Sequence, residues 1–101
     1  MKEETIDRYF FGLSCLYNEL NNNNVKISSY GKALRKCHLP SSKMRAVLIN
    51  LNVIYYRDGF IKWNNTFIPT KTLAKIIYKN LHINKLNSNV GIIRKFIQWI
   101  Y

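Results

Sequence analysis

Acidic residues are scarce in this sequence of 101 residues, where five Asp and Glu stand against sixteen Lys and Arg. Glu3, Glu4, Asp7 and Glu19 precede residue 20 and only Asp58 follows it, so residues 20 to 101 carry fourteen bases and one acid. Paired-carboxylate hydrolysis, carboxylate-held magnesium or calcium and Asp-oriented triads all need acids that this basic stretch lacks, and the expectation is a protein that is not an enzyme. Glycine and proline are also few, at four and two, which disfavours collagen-like and low-complexity chains. No long apolar run occurs: the most apolar, Ala46 to Tyr56, is short and interrupted by Asn50 and Asn52, too little for a membrane span. The acidic start, Met-Lys-Glu-Glu, does not read as a secretory signal, so a cytoplasmic or nuclear protein is expected. In that compartment the only two cysteines, Cys15 and Cys37, are expected to be reduced and packed in the core. The sequon Asn64-Asn65-Thr66 has no meaning without export.

Against these absences stand 48% hydrophobic and 14% aromatic residues, enough to bury a core in one domain spanning 1–101. A net charge of +11 and a pI near 9.9 suit a polyanionic partner, first of all nucleic acid. Thirteen Asn and thirteen Ile suggest AT-rich coding, as in many phages and plasmids.

Ile6, Phe10, Leu13, Leu16 or Tyr17, and Leu20 recur every three or four residues and predict a first helix over 5–20, stopped by the run Asn21 to Asn24. Val25-Lys26-Ile27 reads as a short strand, after which Ser28 or Ser29 caps a second helix over 29–37. His38-Leu39-Pro40 breaks that helix, and Ser41 or Ser42 opens a third ending near Asn52, with Met44, Val47, Leu48 and Leu51 inward. Val53 to Tyr56 and Phe60 to Trp63, joined through Asp58-Gly59, predict a hairpin, with Thr66 to Ile68 extending or pairing with it. Pro69-Thr70 caps a fourth helix over 70–83, and Val90, Ile93, Phe96, Ile97 and Ile100 define a last one.

This order, mainly α with a small β-hairpin (α+β), resembles the winged helix-turn-helix family over residues 5–68, with 70–101 as a helical extension. The most specific stretch is Leu48-Ile49-Asn50-Leu51-Asn52-Val53-Ile54, similar to that family's passage from recognition helix to first wing strand. Asn52 stands where the family commonly has Gly, a mild departure because Asn tolerates positive φ. The resemblance implies that helix three enters the DNA major groove while the wing contacts flanking backbone or minor groove.

On helix three the residues placed to reach DNA are Ser41, Ser42, Lys43, Arg45, Ala46, Ile49 and Asn50. Arg45 has the planar fork that matches guanine, Asn50 suits adenine or phosphate, and the capping Ser29 and Ser42 suit phosphate. Lys32, Lys43, Arg57 and Lys62 add charge. The expected function is sequence-specific binding of double-stranded DNA by a small transcriptional regulator or a phage or plasmid accessory factor, without metal or other cofactor. Cys15, Cys37, His38 and His82 lack zinc-ligand spacing. A homodimer through helix one and the C-terminal helix is expected from the excess of apolar residues Phe10, Phe11, Phe96, Trp99 and Ile100. Two alternatives stand beside this reading: a protein-interaction adaptor, and single-stranded nucleic-acid binding in which Tyr55, Tyr56, Phe60, Trp63 and Phe67 stack on bases. The stripe Lys71, Lys75 and Lys79 reads as a solvated face or a phosphate track.

Overall fold

The computed structural model describes residues 2–83; the expected last helix, with Phe96, Trp99 and Ile100, lies outside them. The elements are α1 (Glu3–Asn22), β1 (Val25–Lys26), α2 (Tyr30–Lys36), α3 (Ser41–Asn50), β2 (Ile54–Arg57), β3 (Phe60–Trp63) and α4 (Lys71–Tyr78). The described part is thus a mainly helical α+β fold with a small antiparallel sheet in the order β1-β3-β2. A 3-10 turn over Ile27–Ser29 leads into α2, and α4 continues as a π-helical turn over Lys79–Ile83.

The 3.6-residue period of α1 buries Ile6, Leu13, Leu16 and Leu20, as the apolar spacing requires. Tyr9 and Gly12 are buried as well, because α4 covers this flank of the helix and Leu39 meets the other. Register alternates the sheet: Val25 pairs with Ile61 and Ile54 with Trp63, all four turned to the core. Tyr17 of α1 closes edge-on against Trp63 at 5.5 Å. Asp58 and Gly59 both take positive φ, 51° and 84°, which gives a two-residue hairpin loop the twist of its strands.

The ends of α2 and α3 are built alike. After α3, Asn52 adopts φ 61°, its N–H donates to the Ile49 carbonyl (3.0 Å), and the Val53 N–H donates to Leu48 (2.9 Å). After α2, His38 adopts φ 59°, its N–H donates to Arg35 (3.0 Å), and the Leu39 N–H donates to Leu34 (2.9 Å). Both are Schellman closures, each sealed by a buried apolar pair, Leu34 with Leu39 and Leu48 with Val53.

Several expectations are corrected. Cys15 and Cys37 are joined in a disulfide rather than held as thiols. The packing of α1 against the end of α2 brings their Cα atoms to 5.6 Å, inside the bridging range, a proximity that residue type and compartment do not reveal. Ser29 occupies the N-cap position of α2 without a side-chain capping bond. Pro40, not a serine, holds the N-cap position of α3 and makes no side-chain capping bond there. Helix three ends at Asn50, since the left-handed Asn52 already belongs to its closure. Thr66 to Ile68 add no strand: Asn64 Oδ1 accepts from the Thr66 N–H (3.1 Å) and hydroxyl (2.9 Å), turning the chain instead. Thr70 does cap α4, accepting from the Leu73 N–H at 3.1 Å.

Candidate nucleic-acid interface

Helix α3 is anchored by Met44 and Leu48, both fully buried, and this fixes which side chains remain outside. Ser42, Lys43, Arg45, Ala46 and Asn50 are exposed, while Ser41 is half-buried. Ile49, expected to face a groove, is half-buried and packs against the core, so it is not free to follow a base edge.

Arg45, although exposed, is engaged with the neighbouring helix. Its guanidinium lies over the Tyr30 ring, 5.2 Å from the centroid, a cation–π contact between α3 and the start of α2. Gly31 makes room for it, because a Cβ there would come within 3.0 Å of Arg45 Nη2. The Tyr30 ring is completely buried, and among the described residues its hydroxyl has no hydrogen-bond partner. Burial, and secondarily the neighbouring Tyr56, push the Tyr30 phenol well above its ordinary range, with the Arg45 charge opposing them. The contact thus favours one position of the Arg45 guanidinium before any ligand arrives, by about 0.5–1 kcal/mol, the size of an exposed cation–π pair.

Register puts Ile54 and Trp63, and likewise Tyr56 and Ile61, on the inner side of the sheet, although Tyr56 on the edge strand remains exposed; Tyr55, Arg57, Phe60 and Lys62 lie on the outer face. Lys26 joins them through its pairing with Phe60. Phe60 is thus an outward, half-buried residue with the Lys62 ammonium 5.9 Å from its ring. Trp63 is core, and its indole N–H donates to the Phe67 carbonyl at 2.7 Å. Arg57 reaches Asp58 at 3.9 Å on the exposed tip, a weak pair.

The structure divides the expected site. Ser42, Lys43, Arg45, Ala46 and Asn50 share the outside of α3; Arg57 and Lys62 share the outer face of the hairpin; Ser29 and Lys32 fall on the flank of α2 turned away from Arg45. In the Lys71, Lys75 and Lys79 stripe, Lys71 is engaged with Asp7 of α1 at 3.0 Å, and that hydrogen bond and charge raise its pKa. Sequence reasoning missed Tyr30 as the seat of Arg45; the contact joins two helices and has no local signature. Among the described residues no group of three or more His, Cys, Asp or Glu could hold a metal, and no helix is long and apolar enough to cross a membrane. Comparison with family models, with curated proteins and with solved structures finds no match to this chain.

Proposed function

We propose that this protein binds double-stranded DNA as a winged helix-turn-helix domain, with α3 in the major groove and the β2–β3 hairpin as the wing, in the role of a small transcriptional regulator or a phage or plasmid accessory factor. The observation that carries this reading is the outside of α3. A helix locked by Met44 and Leu48 presents a hydroxyl, two cations and an amide at Ser42, Lys43, Arg45 and Asn50, in a chain of net charge +11. Arg45, resting against Tyr30, presents its guanidinium at the α2–α3 junction. Twofold association through α1 belongs to the same reading, with Phe11, 66% exposed, as its anchor.

The test is titration against random and selected duplexes at two salt concentrations. Arg45→Ala should relax preference at one base pair and cost about 1–3 kcal/mol there. Lys43→Ala should weaken all sequences about equally and lower the log-log salt slope by about one. Unchanged duplex affinity in both folded variants would remove α3 as the recognition element, and a salt-insensitive interaction would favour a protein-binding adaptor.

The outer sheet face favours a second reading. Tyr55, 40% exposed, and Phe60 share it with Lys26, Arg57 and Lys62, a mixture of rings and cations suited to single-stranded nucleic acid. Tyr55→Ala lowering oligothymidylate affinity more than duplex affinity would select that reading.

A further inference from the structure

We propose that the open pocket between the end of α1, β1 and α2 is a binding site for a phosphate group, separate from the outside of α3. The pocket has a volume of about 340 Å³ and is walled by Lys26, Lys32, Lys36, Ser29, Asn24 and Glu19. That volume lies in the range of small-ligand sites. Three ammonium groups face one carboxylate, so the pocket keeps a net charge of +2. Glu19 is committed to Lys36 at 2.9 Å, whereas among the described residues Lys26 and Lys32 have no carboxylate within ion-pair distance. The Ser29 side chain, making no capping bond to α2, can donate to a phosphate oxygen. Lysine ammoniums and a hydroxyl are donors suited to a compact, multiply charged anion.

Helix periodicity separates this site from the recognition surface. Ser29, Lys32, Ala33 and Lys36 are spaced three, one and three apart and form one stripe of α2. Tyr30 and Gly31, which receive Arg45, occupy the opposite flank. The phosphate site therefore stands whether or not α3 reads DNA. The phosphate belongs either to a nucleic-acid backbone passing β1 or to a free phosphorylated small molecule.

The experiment is a titration of the full chain with inorganic pyrophosphate at low salt, followed by amide chemical shifts, on variants whose melting matches the parent. Saturable shifts concentrated at residues 24–36 are expected. Glu19→Gln removes the competing carboxylate and should tighten binding about threefold, and Lys26→Gln should weaken it about threefold, sizes typical of one exposed charge. Shifts that grow linearly at all lysines, or a Glu19→Gln variant that binds no tighter, overturn the proposal. With the site established, duplex and oligothymidylate distinguish the sources. Competition with pyrophosphate, together with a smaller salt slope in Lys26→Gln, assigns the phosphate to a nucleic-acid strand. Unaltered nucleic-acid binding in Lys26→Gln assigns it to a free ligand.

Discussion

Asn52 shows how one residue sets the course of the chain. Its left-handed conformation closes α3 and aims Val53 into the core and Ile54 into β2, while its carbonyl accepts from Asn64 Nδ2 at 2.9 Å. A Cβ-bearing residue without a short polar side chain is disfavoured there, so Asn52→Ala should lose about 1 kcal/mol in chemical denaturation, with Asn52→Gly near neutral. Tyr30 makes the opposite case, a buried hydroxyl with no hydrogen-bond partner among the described residues. Tyr30→Phe should leave stability unchanged or raise it by about 1 kcal/mol, since an unsatisfied buried group is removed while the ring under Arg45 stays. Burial also keeps the Tyr30 phenol protonated beyond its ordinary range. Its contribution is fully present below the unfolded pKa near 10 and is lost as pH rises above it, because the unfolded chain then releases a proton that the folded chain retains. Urea titrations from pH 8 to 11 should show a steeper loss of stability in the parent than in Tyr30→Phe.

Among the elements, α1 crosses close over the α2–α3 turn at Gly12. Gly12 is a buried glycine inside a helix, a position where alanine ordinarily gains about 1 kcal/mol. Here a Cβ would run into the Leu39 side chain, with Leu39 Cγ at 2.8 Å and the Cys37 carbonyl at 3.1 Å. Leu39 is buried and tied by its N–H to Leu34, so it has little room to retreat. Gly12→Ala should therefore destabilise the protein by about 1–3 kcal/mol in denaturant melts, the usual cost of overpacking. A stabilised variant would show that α1 can shift away. The amphipathic spacing of α1 was legible, because period alone places Ile6, Leu13, Leu16 and Leu20 on one face. The role of Gly12 was not, because its neighbour Leu39 lies 27 residues along the chain.

At the scale of the whole molecule, the Cys15–Cys37 bridge spans 22 residues and ties α1 to the end of α2. Closing a loop of this length restricts the unfolded chain, so reduction should cost about 3 kcal/mol by the chain-entropy argument. Equilibrium unfolding with and without dithiothreitol checks this, and identical midpoints would show that the bridge contributes nothing. Periodicity, the Asp-Gly loop and the scarcity of acids are local or additive properties, so the sequence by itself determined the helices of residues 2–83, the hairpin and the basic character of the chain. The positive φ of Asn52 was equally readable, since it follows from one residue's conformational preference. Only the tertiary structure decided that Arg45 rests on Tyr30, that Ile49 turns inward, that Phe60 faces out, and that Lys26, Lys32 and Lys36 share a pocket with Glu19. Each of these depends on contacts between elements distant in sequence, and packing and strand register set such contacts; residue type and spacing leave them open.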